Sequence, residues 1–111
     1  MKISFEGFNA NFLTFIAAEG LNGASAGTLV KLTADGAVDE AIDDGDVFIG
    51  SLVSEKDGVA CVQVSGYAET EAALAAGFHR VAFADGALDE SETGREIFVV
   101  RSDNGKIGFI M

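Results

Sequence analysis

Along the chain, short runs rich in Val, Ile and Phe alternate with clusters of Gly, Asp and Asn. That spacing is the pattern of a small mainly-β fold, a β-barrel or β-sandwich, in which each apolar run is a strand and each polar cluster a turn. Strands are predicted near Lys2–Phe8, Phe12–Ala17, Thr28–Ala34, Val47–Ser54, Val59–Gly66, His79–Ala84, Ile97–Arg101 and Ile107–Ile110. Short ones are expected to follow Asp-Gly turns, at Ala37–Ala41 and Ala87–Asp89.

The pattern repeats. "LTADGAVDEA" from Leu32 returns as "AFADGALDES" from Ala82, with Asp35-Gly36 matching Asp85-Gly86, Val38 matching Leu88, and Gly27 matching Gly77. Asp followed by Gly between two extended runs makes a tight hairpin, because both residues tolerate the positive φ that such turns require. "KDG" at Lys56 and "DNG" at Asp103 are further hairpin candidates at comparable points, and "DVFIG" at Asp46 aligns loosely with "EIFVV" at Glu96. The chain therefore reads as a single domain, 1–111, built from two related strand–turn–strand units, 27–64 and 77–111, behind an aromatic N-terminal segment, 1–18. One conflict stands inside the repeat. Val30 and Leu32 mark the apolar face of one leading strand, whereas Val81 and Phe83 mark that of the other in opposite phase. A one-residue slip turns every side chain to the other face, so either one copy carries a bulge or one strand is buried on both sides. Between the units, "AETEAALAAG" from Ala68 is rich in helix formers and ends on a glycine suited to a C-terminal cap. One short helix is predicted there, with a strand continuing from Val59 through Thr70 as the competing reading.

Charge and composition narrow the function. Eighteen acidic against seven basic residues give a net charge of −11, which repels phosphate backbones and excludes nucleic acid as a partner. The longest apolar runs, such as "FLTFIAA" at Phe12, are too short to span a membrane, and Glu6 and Asn9 spoil the resemblance of the N-terminus to an export signal. A single cysteine, Cys61, rules out an internal disulfide.

Chemistry-bearing patterns are sparse. The acidic run "DEAIDDGD", Asp39 to Asp46, invites a calcium reading, but its acids do not fall at the alternate positions a calcium loop needs, and a solvated turn is expected. Cys61 and His79 are the only thiol–imidazole candidates; Cys61 lies within the strand "VACVQV", where a small buried hydrophobe is expected. His79 has no acid close by in sequence to orient it, so the pair lacks a third member. No glycine-rich phosphate loop occurs. No enzymatic activity, metal or cofactor is expected.

Four of the nine phenylalanines, Phe5, Phe8, Phe12 and Phe15, fall within the first fifteen residues. They belong either to strands that close the core or to an apolar arm that docks on a neighbour, and they are the candidate interface residues. The flexible link "EGLNGASAG" from Glu19 to Gly27 suits the arm.

"AGTLVKLTADGAVDEA" at Ala26, followed by "DVFIGSLVSEKDGVACVQVSGYAE" at Asp46, resembles the tailed-phage capsid decoration, or cement, proteins. The resembling features are Gly27, Val30 and Leu32; the Asp35-Gly36 turn; Ile49-Gly50; Asp57-Gly58 through Gly66; and "AGFHRVAFADG" from Ala76. The resemblance implies a small mainly-β structural protein on the virion, bound to the major capsid protein on the capsid exterior and assembled in the host cytoplasm. It further implies a homotrimer without catalysis. The rival expectation is a stand-alone bacterial β-barrel module that binds a small ligand or a protein partner.

Overall fold

In the computed structural model, residues 11–21 and 24–111 are described. The predicted strand at Lys2–Phe8 lies outside them. Among the described residues ten strands carry the fold: β1 (Asn11–Ala17), β2 (Leu29–Ala34), β3 (Ala37–Glu40), β4 (Gly50–Lys56), β5 (Val59–Ser65), β6 (Tyr67–Glu71), β7 (Gly77–Ala84), β8 (Ala87–Glu90), β9 (Arg95–Asp103) and β10 (Lys106–Ile110). The first five close into a barrel in the order β1-β3-β2-β4-β5, and the other five form a sheet in the order β6-β10-β9-β7-β8.

The two orders are the same order. β2, β3, β4 and β5 correspond to β7, β8, β9 and β10, and the antiparallel β1–β5 pairing is matched by β6–β10. Even the closure is echoed: β1 meets β3 in parallel through Ala17 and Val38, and an isolated parallel bridge joins Ala72 to Leu88. The duplication thus includes a fifth strand in each half, which the two sequence units of 27–64 and 77–111 leave out.

Register resolves the phase conflict. Val30 pairs with Glu40 in the first half and Val81 with Glu90 in the second, so the first copy has one more residue between these points. The extra residue is Thr33, left without a register partner where the β2–β3 ladder shifts between Leu32 and Ala34. A bulge of this kind places two residues opposite one and reverses the facing of everything beyond it. The turns differ accordingly. Asp85-Gly86 has positive φ at both residues, the paired geometry that matches strand twist, whereas at Asp35-Gly36 only the glycine does. Asp57-Gly58 and Asn104-Gly105 are likewise both positive.

The predicted helix after Ala68 is absent. Ala68, Ala72 and Leu74 are buried while Glu69, Glu71 and Ala73 are exposed, a period of two. β6 pairs with β10 along its whole length, from Lys106↔Glu71 to Ile110↔Tyr67. Helix preference amounts to only a few tenths of a kcal/mol per residue, too little to oppose a full ladder and an apolar edge to bury. The competing continuous strand also fails, because Gly66, at φ 105°, separates β5 from β6 and sends them to different sheets.

The halves are joined by an insertion. Val30 pairs with Gly50 and Val81 with Arg95, so the link from β3 to β4 is five residues longer than the link from β8 to β9 (nine against four). Glu96 therefore corresponds to Ser51, and the alignment of "EIFVV" with "DVFIG" is replaced. The extra residues lean on the second sheet: the Gly45 amide donates to Phe83 O (2.7 Å) and the Phe83 amide to Asp46 O (2.9 Å). Phe48 enters the core of the second half, edge-on to Phe109 at 5.9 Å between centroids. Leu29 and Ala41 join that core, which is otherwise made by the second half, from Ala68 to Phe109. A separate cluster of Leu21, Val30, Val38, Leu52, Ala60 and Val62 fills the first barrel.

Arg95 completes the joint. Its guanidinium lies 5.0 Å from the centroid of Phe48 and donates to Ile49 O (2.7 Å) and Val64 O (3.2 Å) of the first barrel. Burial lowers its pKa from the ordinary arginine value, and no carboxylate pairs with it among the described residues. Two charge-assisted bonds and a ring contact replace that missing anion. Arg95→Met keeps much of the volume but leaves both carbonyls without a donor, and it is expected to cost about 2–3 kcal/mol in urea unfolding. Arg95→Lys, which lacks the planar fork, is expected to restore less than half of that loss.

Candidate functional site: an apolar face on the first barrel

The four candidate phenylalanines have different fates. Phe5 and Phe8 lie outside the described residues. Phe15 is half-buried and packs against the first-barrel core. Phe12 is 52% exposed. Residues 11–17 are a barrel strand, paired with β5 from Asn11↔Ser65 to Ile16↔Val59 and with β3 at the far end.

Alternation along β1 explains the split. Phe15 faces the core, whereas Phe12, Thr14 and Ile16 face out, and the residues opposite them on β5 are Gln63, Cys61 and Val59. Ile16 is 64% and Val59 49% exposed, and as direct cross-strand partners they form an apolar pair, with Phe12 in the same outward row beyond the Thr14–Cys61 pair. Leu13, on the same side of the strand as Phe15, is exposed as well and is not part of this row. Ile16 and Val59 were not among the sequence candidates. Ile16 was legible as the same-face successor of Phe12 at a period of two, but Val59 is brought beside it only by register.

The same alternation corrects the reading of Cys61. Ala60 and Val62 are the buried residues of β5, and Cys61 stands half-exposed on the outer row between Thr14 and Ser54. His79, on β7 in the other half, does not approach that row through any hydrogen bond. Its Nδ1 lies 2.7 Å from Glu90 Oε1 and its Nε2 2.7 Å from Ala75 O. Both partners are acceptors, so only the doubly protonated ring donates to both. The acid missing from the local sequence is thus supplied across the β7–β8 hairpin, and its effect is to tie the β6–β7 link to β8.

The acidic loop is a structural knot. Asp46 Oδ2 accepts from Lys31 Nζ (2.7 Å) and from the amides of Asp43 (2.9 Å) and Ile42 (3.1 Å), while Asp44 Oδ1 accepts from the Asp85 amide (2.9 Å). The carboxylates are spent on backbone and lysine, and no metal-holding cluster is found among the described residues. No helix among the described residues is long and apolar enough to cross a membrane. No protein-family model, curated protein or solved structure matches the chain.

The Lys31 contact, helped by the two amides and opposed by burial, lowers the Asp46 pKa from its ordinary value, and the Asp46 contact raises that of Lys31. A depressed carboxylate stabilises the fold above its unfolded pKa, and that contribution is lost as pH falls through the folded value. Asp46→Asn is therefore expected to unfold at lower urea concentration than the parent at neutral pH. The gap is expected to close as pH falls below 3.8, the ordinary value for this carboxyl. A gap that persists unchanged in acid would assign the effect to packing instead.

Proposed function

We propose that the chain is a non-catalytic structural protein that decorates the outside of a tailed-phage capsid, docking on the major capsid protein through the β1–β5 face of the first barrel. The observation that carries the docking reading is the exposed Ile16–Val59 pair, with Phe12 exposed in the same row, on the outer surface of a closed barrel. Large apolar side chains clustered on a rigid, wet surface mark interaction sites, because their burial is the main source of contact energy. The capsid as partner, and the homotrimer as assembly state, rest on the sequence resemblance that runs from Ala26 to about Glu90. The duplicated sheet order and the Asp-Gly hairpins are compatible with that resemblance.

Burying an Ile and a Val side chain contributes about 1.5 kcal/mol or more each, so removing both weakens docking by roughly a hundredfold. The test is co-sedimentation with density-banded phage particles from the host culture. The double variant Ile16→Ser with Val59→Ser, which touches only exposed positions, is expected to stay folded and to leave the particle band, while the parent chain remains in it. Equal retention of variant and parent would overturn the docking face. Absence of the parent from every particle band would overturn the capsid reading itself.

A further inference from the structure

The face by which the first barrel covers the second half has a counterpart that is left open. Leu29, Ala41 and Ser51 form the covering face and are all buried. Leu29 pairs with Ser51 as Arg80 pairs with Glu96, and the Ala41 amide donates to Leu29 O as the Ser91 amide donates to Arg80 O. The counterpart face in the second half is therefore Arg80, Ser91 and Glu96. Among the described residues nothing covers it. It borders an open concavity of about 540 Å³ that Phe78 and Glu92 also line.

An aromatic plate stands beside it. Phe78 and Phe98 are cross-strand partners on β7 and β9, stacked at 4.6 Å between centroids and 22° between planes. They are 72% and 39% exposed. The exchange between Thr28 and Leu52 in the first half matches that between His79 and Ile97 in the second, which makes Gly27 and Val53 the counterparts of the two rings. The fold thus needs no aromatic ring at either place, and leaving Phe78 in water is unfavourable unless a partner covers it.

Charge selects the partner. Glu92 and Glu96 make no ion pair among the described residues, Glu90 is engaged by His79, and Arg80 is the one cation of the group that no carboxylate holds. A second copy of the chain would bring a further net charge of −11 to an already acidic face. It would also meet Arg80 and Ser91 where the internal joint uses Leu29 and Ala41. We propose that this face docks a basic segment of a partner protein, with an arginine or lysine side chain lying on the Phe78–Phe98 plate and its charge met by Glu92 and Glu96. A cation over an aromatic face and beside carboxylates gains from both at once. The inference is independent of the capsid reading, which uses the other half.

The test is a nitrogen–proton correlation titration of the full chain with the peptide acetyl-Gly-Arg-Leu-Arg-Gly-amide, with its glutamate counterpart as control. Saturable shifts are expected at Phe78, Arg80, Ser91, Glu96 and Phe98 with the arginine peptide alone. Binding is expected to weaken severalfold from roughly 0.01 M to 0.15 M salt, as the Debye length shortens from about 30 Å to about 8 Å. Phe78→Ala and the double variant Glu92→Gln with Glu96→Gln are each expected to lose about fivefold or more in affinity. Both alter exposed side chains, and an unchanged urea midpoint verifies the fold. The proposal is overturned if the peptide does not bind, or if shifts spread over the whole acidic surface and ignore Phe78→Ala. It is also overturned if a neutral oligosaccharide shifts the same residues instead, or if Phe78→Ala converts a sedimenting dimer to monomer, which would assign the face to a second copy.

Discussion

The contact of Phe48 with Phe109 on one side and Arg95 on the other is the constraint on which the rest of the molecule depends. Each half alone is a five-stranded unit of some fifty residues, a size at which a single apolar core is only marginally sufficient. The first half closes on itself and holds its own cluster around Val30 and Val62. The second half closes by a single bridge, and its core is completed by Leu29, Ala41 and Phe48 from its neighbour. Five inserted residues between β3 and β4 make this possible. They carry Phe48 across, pair Gly45 and Asp46 with Phe83, and let Asp44 cap the Asp85 turn.

Duplication followed by divergence explains the asymmetry of the surfaces. One copy of the covering face, with Leu29 and Ala41, is consumed in the internal joint, whereas the other, with Arg80 and Glu96 beside the Phe78–Phe98 plate, stays open. The outward row of β1 and β5 offers a second surface, apolar and remote in sequence from the first. The halves thus supply one outward face each, while the carboxylates of Asp44 and Asp46 are spent on the joint between them.

Much of this was legible in the residues. Asp-Gly and Asn-Gly between extended runs located four hairpins, because few other dipeptides accept positive φ at low cost. The mainly-β class followed from the short spacing of Val-, Ile- and Phe-rich runs between Gly, Asp and Asn clusters, and the repeat followed from near-identity around the Asp35-Gly36 and Asp85-Gly86 turns. The opposite phase of Val30 and Val81 was a true signal of the Thr33 bulge, although sequence alone left a doubly buried strand equally open. "AETEAALAAG" misled, since composition favoured a helix while the alternation of Ala68, Glu69 and Ala72 already had the strand period. Long-range register was beyond reach. Neither the Ile16–Val59 spot, nor the Phe78–Phe98 plate, nor the bond from Arg95 to Ile49 O leaves a local trace, because each joins residues that only pairing brings together.

The central claim is that the second half owes its core to the first. Residue-resolved urea unfolding, followed by the amide signals of Val30 and Val62 in one half and Val99 and Phe109 in the other, tests it most directly. A single shared midpoint, or loss of the second half's signals as soon as the first half opens, is the predicted result. Survival of native Val99 and Phe109 signals after Val30 and Val62 have unfolded would contradict it.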